Sequence, residues 1–207
     1  IKNVYPTGGV GRTKYDPVGN VIKTIEPGKY DEYTDDGAGN EYVYDELNRL
    51  TVIKDPEGNT IKAFEYDNDG RVAKEFNAKG HAAIYKYNLA GWLLEKRVPV
   101  DEKDSKVQYN ITVYGYDKAG RRIEEKVSRE YVDEKEYPEE WNVITYVYDK
   151  NNRIIEVSDS TGARIRYSYD CLGNRTSEII KINDSKNKII RYRYNSVGLL
   201  EKKIEEI

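Results

Sequence analysis

The chain has 207 residues with 34 Lys and Arg against 37 Asp and Glu, and its formal net charge of -3 removes the electrostatic footprint of a nucleic-acid or anionic-membrane binder. A hydrophobic share of 38 % is lean for a globular domain, yet 12 % aromatics is too rich for a disordered chain, so the chain folds. A lone cysteine, Cys171, excludes an internal disulfide framework and a cysteine zinc site, and no apolar run approaches the roughly 18 residues of a membrane span. The absence of Met and of a signal-peptide pattern, with an opening at Ile1 in mid-pattern, reads as a segment of a longer protein.

Tyrosine accounts for 20 of the aromatics. That usage suits sheet faces, where an amphipathic ring packs on the pleat and its hydroxyl reaches a partner. The dipeptide Tyr-Asp or Tyr-Asn recurs along the chain, beginning at Tyr15, Tyr44, Tyr66, Tyr87, Tyr116, Tyr148, Tyr169 and Tyr194. The spacings of 29, 22, 21, 29, 32, 21 and 25 residues describe a unit of 21 or 22 with insertions.

In chain order, an alternating run precedes many of the pairs: Glu41-Tyr42-Val43-Tyr44, Ile84-Tyr85-Lys86-Tyr87, Ile144 to Tyr148, Ile165 to Tyr169 and Ile190 to Tyr194. Period two is strand period, which places Ile165, Tyr167 and Tyr169 on one face and Arg166 and Ser168 on the other. The tyrosines at 42, 44, 85, 87, 146, 148, 167, 169, 192 and 194 are thus expected to line one face, with the opposite face wet. A turn follows each pair, as in Asp67-Asn68-Asp69-Gly70-Arg71 and Asp117-Lys118-Ala119-Gly120-Arg121. The Asp can accept from backbone N–H groups two residues on, and the Gly supplies the positive φ of a type I turn with a following bulge. Asn48 and Asn152 replace that Gly with the side chain that best tolerates the left-handed region.

A second strand leaves each turn, as at Leu50 to Ile53, Arg71 to Lys74 and Ile154 to Val157, and ends at a similar turn such as Asp55 to Gly58, Asn77 to Gly80 or Asp159 to Gly162. A single hairpin is marginal in water, so the units must pair edge to edge. The expected fold class is all-β: tandem antiparallel β-hairpin repeats in one coiled, continuous sheet or partial shell. About seven units occupy residues 1–207 as a single domain, with insertions near 99–110 and 129–142. Replacing Gly70 or Gly120 by Val is expected to cost more stability than replacing any exposed Lys.

The Tyr-Asp-x-x-Gly-Arg unit resembles that of the YD-repeat, or Rhs-repeat, family, from about Lys14 to the end of the chain. The resemblance implies a strip of hairpins that spirals into a shell or hollow barrel, as in Rhs toxins, cell-wall-associated YD proteins, the C component of insecticidal toxin complexes and teneurins. It further implies an extracellular or cell-surface scaffold whose full-length shell encloses a C-terminal toxin, although about seven units are too few to close one. The partners implied are neighbouring repeats or a C-terminal domain of the same parent protein. The aspartyl autoprotease core that ends many such shells has no equivalent here, since Asp16-Pro17 sits in an ordinary repeat turn.

Chemistry-bearing residues are sparse. His81 is the sole histidine, and Cys171 fills a variable turn position with no visible cause for a depressed pKa, so neither receives a role. The stretch Asp35-Asp36-Gly37-Ala38-Gly39-Asn40 matches neither an EF-hand nor a calcium-binding nonapeptide, and turn formation accounts for its aspartates. Adjacent acids such as Glu124-Glu125 point to opposite strand faces and cannot form a glycosidase pair. No enzyme activity, cofactor or metal is expected. Aromatics in the insertions are the candidate ligand-binding residues: Tyr109, Tyr131, Tyr137 and Trp141 could form platforms for cell-surface glycans. The competing expectation, which is preferred, is that these segments prolong a hairpin or cover a sheet edge. Trp92, where most repeats place Arg or Asn, is expected to pack on a neighbouring unit.

Overall fold

The computed structural model describes residues 1–6, 9–103 and 105–206. Among them every regular element is a strand, and the chain forms two compact units, Ile1–Lys86 and Tyr87–Ile207. The first unit is a meander of β1 (Lys2–Val4), β2 (Val10–Tyr15), β3 (Val21–Asp31), β4 (Asp36–Tyr44), β5 (Leu50–Lys54), β6 (Thr60–Tyr66), β7 (Val72–Phe76) and β8 (Ala82–Tyr87). Each strand pairs antiparallel with the next. The second holds β9 (Leu93–Lys103), β10 (Lys106–Tyr116), β11 (Arg122–Ser128), β12 (Val132–Asp133), β13 (Trp141–Tyr148), β14 (Ile154–Asp159), β15 (Arg164–Tyr169), β16 (Arg175–Asn183), β17 (Lys186–Tyr194) and β18 (Leu200–Glu206). It is also an antiparallel meander, except that β12 leaves the sequence of neighbours and pairs with β10.

The turn chemistry is as the sequence predicts. At Asp67 the backbone N–H donates to the Arg71 carbonyl at 2.8 Å, and the carboxylate Oδ1 accepts from the N–H groups of Asp69 and Arg71 at 2.9 Å each. Gly70 has φ +80°, and Asn48 and Asn152 hold the equivalent position at +60° and +62°. The register then slips between Glu65 and Tyr66, the bulge that such a turn requires. Alanine at Gly70 meets only open space and the tip of Arg49, whereas a Cβ at Gly120 would lie 2.7 Å from the Trp92 ring. Both substitutions force a side chain into positive φ, at about 1 kcal/mol. Gly120→Ala is expected to lose a further ~1–3 kcal/mol to overpacking, which urea denaturation of the two variants will show as a difference in midpoint.

The tyrosine face is half-buried and the alternate face more open, as at Tyr42 and Tyr44 against Glu41 and Val43, or Tyr192 and Tyr194 against Arg191 and Arg193. Few side chains are fully buried, because a single-layer sheet covers each face only with neighbouring side chains; Ile25, Tyr109, Ile111, Val132 and Ile190 are the buried apolar ones. The two sequence insertions behave differently. Residues 99–110 prolong the β9–β10 hairpin, whose pairing runs from Val113 with Glu95 out to Lys106 with Lys103. Residues 129–142 bring β12 alongside β10, pairing Tyr109 with Val132.

In the first unit, β3 bulges across β4. Ile25 pairs with Gly39 and Tyr30 with Gly37, so Glu26 to Lys29 oppose the single residue Ala38. The aspartates that follow are held by cations. Asp35 pairs with Arg12 at 2.9 Å, and Asp36, which opens β4, lies 3.1 Å from both Lys14 and Lys23. Asp35 also ends the turn at φ +50°, as the turn expectation has it, and Asp31 opens that turn with a carboxylate that accepts from Tyr33 N–H at 2.9 Å. The Gly37 N–H, then Lys23 and Lys14, hold the Asp36 carboxyl down at about 2. A carboxyl depressed on folding stabilises above its unfolded pKa of roughly 3.9 and loses that contribution as pH falls through its folded value. Acid denaturation of the chain is therefore expected between about pH 4 and pH 2, and Asp36→Asn should flatten that limb when stability is measured against pH.

Candidate functional site

Two arrangements of side chains stand out: the recurring contacts between successive hairpins, and the covered patch beneath the second insertion. The first begins at the tyrosine of each pair. Tyr44 Oη donates to the Val21 carbonyl at 2.9 Å, Tyr66 to Leu50 at 2.7 Å, Tyr116 to Leu93 at 2.9 Å, Tyr148 to Arg122 at 2.8 Å, Tyr169 to Ile154 at 2.7 Å and Tyr194 to Arg175 at 3.0 Å. The acceptor is in each case the fifth residue after the Asp or Asn of the preceding turn, where the bulge interrupts the ladder. The hydroxyl thus serves a backbone group that the turn leaves over.

The residue one place earlier completes the lock. Arg49, Arg71, Arg121 and Arg153 each donate from Nε to the second carboxylate oxygen of their own turn aspartate, at 2.6–2.8 Å. The guanidinium groups lie over the tyrosine of the next unit, as with Arg49 on Tyr66 at 4.5 Å, Arg121 on Tyr148 at 5.0 Å and Arg153 on Tyr169 at 4.7 Å. Arg121 also reaches the Asp149 carbonyl and the Asn152 amide of the following turn, and Arg153 the Asp170 carbonyl. Trp92 takes the arginine's place in its turn and stacks on Tyr116 with centroids 5.4 Å apart, as expected of a residue that packs on a neighbouring unit. Hydrogen bonding from Arg49 and Arg153 N–H groups, reinforced by their guanidinium groups, holds the Asp45 and Asp149 carboxyls below the usual carboxylate range. The aspartate therefore stays charged and keeps its arginine aimed at the next ring.

The second arrangement lies on the face opposite the tyrosines, which β12 and its loop cover. Glu95 and Arg97 project from β9 into this cover, 7 % and 2 % exposed, with Nε and Oε1 2.7 Å apart. Arg97 donates to the Glu134 and Glu136 carbonyls, the latter at 2.8 Å, and its guanidinium lies 4.5 Å from the Tyr137 ring centroid. Tyr137 Oη donates to the other oxygen of Glu95 at 2.6 Å. Every polar atom of the pair named here is matched, as burial of two charges requires. Ile111, fully buried on the same face, donates its N–H to Ser128 Oγ at 2.9 Å.

A cavity of about 440 Å³ opens beside this patch, lined by Lys106, Val107, Tyr109 and residues 133–136. Tyr109 is 3 % exposed, and burial pushes its hydroxyl pKa up. Asp133 is held low by Lys106 and Gln108, which bond its two oxygens. The four candidate aromatics are thus divided. Tyr109 forms the cavity wall and Tyr137 is tethered to Glu95, yet 55 % exposed. Tyr131 is 60 % exposed, and Trp141 opens β13 opposite Ser128, half-buried. Sequence reasoning missed Glu95 and Arg97. Their signal was two opposite charges at i and i+2 of a strand, one face apart from the tyrosines, just upstream of an insertion. Among the described residues, no group of three or more His, Cys, Asp or Glu side chains is placed to hold a metal ion.

Comparison with known proteins agrees with this architecture. Residues 148–181 match the family model described as RHS Repeat. A crystal structure of TcdB2-TccC3-Cdc42 superimposes with a TM-score of 0.62 at 13 % identity, over 95 % of this chain and 12 % of that one. A crystal structure of TcdB2-TccC3-TEV gives 0.46 at 14 % identity, over 96 % of this chain and 13 % of that one. A Photorhabdus luminescens Tc holotoxin pore with TccC3 mutated gives 0.39 at 14 %, over 99 % of this chain and 14 % of that one. The chain therefore spans about an eighth of the length of the structures it matches. No curated protein sequence matches it. The fold and its repeated locks define a β-hairpin repeat scaffold. The stretch that matches the RHS Repeat model, residues 148–181, carries the Tyr-Asp turn that recurs along the chain.

Proposed function

We propose that this chain is a non-catalytic wall segment of a large secreted or cell-surface protein, one continuous repeat domain over residues 1–207 whose parent shell encloses a C-terminal toxin. The observation that carries the reading is the lock between hairpins: the tyrosine hydroxyls and the turn arginines or Trp92 are committed to holding the next unit. Side chains so engaged are positioned for mechanical continuity rather than for turnover. The same repeat grammar on both sides of Lys86 supports a single domain, and the natural partners are further repeats or the C-terminal domain of the same chain. The test is limited proteolysis of the full-length parent protein. Protection of its C-terminal part, lost when Arg121 and Arg153 are both replaced by Ala, supports encapsulation. Equal cleavage of the C-terminal part with and without the repeat segment refutes it.

A second reading, a carbohydrate-binding adhesion module, draws on the exposure of Tyr131 and Tyr137 at the insertion and on the adjoining cavity walled by Tyr109. Glycan-array binding that is lost in Tyr131→Ala/Tyr137→Ala, with Trp141→Ala as a third variant, would support it; an array without hits sinks it.

A further inference from the structure

The face opposite the tyrosines changes character over the last four strands. The register sets Arg166 against Ile179, Ser177 against Arg191, Lys181 against Asn187 and Arg193 against Lys202. Directly opposed residues share a face, and so do alternate residues of one strand. Arg164, Arg166, Lys181, Arg191, Arg193 and Lys202 therefore all project from the side away from the tyrosines. The acids Glu178 and Glu205 fall on the other side, opposite Tyr167 and Ile190. Three carboxylates offset the six cations: Glu156 bonds both Arg166 at 2.7 Å and Arg164 at 3.5 Å, Asp184 bonds Lys181 at 2.7 Å, and Glu206 bonds Arg191. Arg193 and Lys202 make no ion pair among the described residues. A chain of net charge -3 thus carries a local excess of positive charge on one strip of sheet.

The strip has shape as well as charge. Between Arg164, Arg166 and Lys181 the surface sinks into a cavity of about 210 Å³, which Ile179, Asn183, Asn187 and the carboxylate of Asp184 also line. From there the cations run diagonally to Arg193 and Lys202, a span on the order of 20 Å at ordinary strand spacings. Half-buried Ile179, Ile189 and Ile204 lie between them. No aromatic ring is on this side, so nothing offers the stacking platform that single-stranded nucleic acid uses. Guanidinium forks match carboxylate and sulfate groups in pairs, and the isoleucines present apolar surface to the C–H faces of sugar rings.

We propose that the face of β15–β18 opposite the tyrosines binds a linear acidic polysaccharide through carboxylate or sulfate groups, with one acidic group seated in the Arg164–Arg166–Lys181 depression. This site is independent of the insertion aromatics and of any enclosed domain. The experiment is titration of dextran sulfate, polygalacturonate, neutral dextran and an oligo-dT strand into the 207-residue chain by calorimetry at two salt concentrations. Either acidic polymer should bind, more weakly at high salt, while neutral dextran does not. Arg193→Gln/Lys202→Gln, which orphans no carboxylate, should weaken binding about tenfold, each exposed charge contact being worth up to about fivefold. Lys181→Gln should weaken it in the same direction, and Lys118→Gln/Lys150→Gln on distant turns should leave it unchanged. Equal loss in the distant pair, equal binding of neutral dextran, tighter binding of oligo-dT, or no binding of either acidic polymer overturns the proposal.

Discussion

Replacing Arg97 by Ala is expected to destabilise the Tyr87–Ile207 unit by ~3–5 kcal/mol, because it strips the partner from a carboxylate that remains buried. Glu95 would lose the guanidinium that bonds its Oε1, and the carbonyls of Glu134 and Glu136 would lose their donor. The consequence is local as well as global. With its guanidinium anchor gone, the loop after β12 is held by the short pairing of Gln108 and Tyr109 with Asp133 and Val132, by Lys106 and Gln108 on the Asp133 carboxylate and by the Tyr137 hydroxyl on Glu95. Urea denaturation should show the loss, and hydrogen exchange should show residues 132–137 opening first. Replacing both Glu95 and Arg97 by Leu should cost far less than the single substitution, since an apolar pair leaves no orphaned charge. A single variant as stable as the parent chain would mean that the pair is solvated in solution.

Gly39→Val should be comparably severe in the first unit. A Cβ at this glycine would lie 2.2 Å from the Thr24 carbonyl oxygen and 2.9 Å from Ile25 Cγ1, and the first of these is backbone that cannot rotate away. The two strands would have to part at Ile25, the one buried apolar residue named in this unit. A loss of about 4 kcal/mol or more is expected, measured as the shift in thermal or urea midpoint against Gly58→Val, whose Cβ meets no neighbour within 4 Å. The comparison separates steric exclusion from positive φ, since Gly58 has φ +87° and Gly39 does not share that strain. Similar losses for the two variants would deny the close approach of the β3 bulge to β4.

What was legible in the sequence was local and periodic. Alternation assigned strands, Asp with Gly or Asn assigned turns, and the tyrosine face followed from period two, because each depends on residues within a few positions of one another. The arginine after the turn glycine or asparagine was visible as a repeat element, but its partner is the ring of the next unit, 17 residues on at Arg49 with Tyr66 and 27 on at Arg121 with Tyr148. No local rule announces a contact whose separation changes with every insertion. The Glu95–Arg97 patch was opaque for the same reason: a loop some 40 residues downstream turns an ordinary outward strand face into an interior, Arg97 bonding Glu136 across 39 positions. The need for glycine at 37 and 39 was opaque in the same way, because it comes from the close approach of the neighbouring strand's bulge.

These particulars converge on one physical account, in which hairpins too small to stand alone are held by a tyrosine hydroxyl, a turn carbonyl and a guanidinium stacked on the next ring. The Arg153 and Tyr169 double-mutant cycle tests it most directly, with Arg153→Met and Tyr169→Leu made singly and together and stability measured in urea. The account predicts a coupling energy of about 0.5–1 kcal/mol between residues that belong to successive units. Additive losses, with no coupling beyond the error of the measurement, would contradict it.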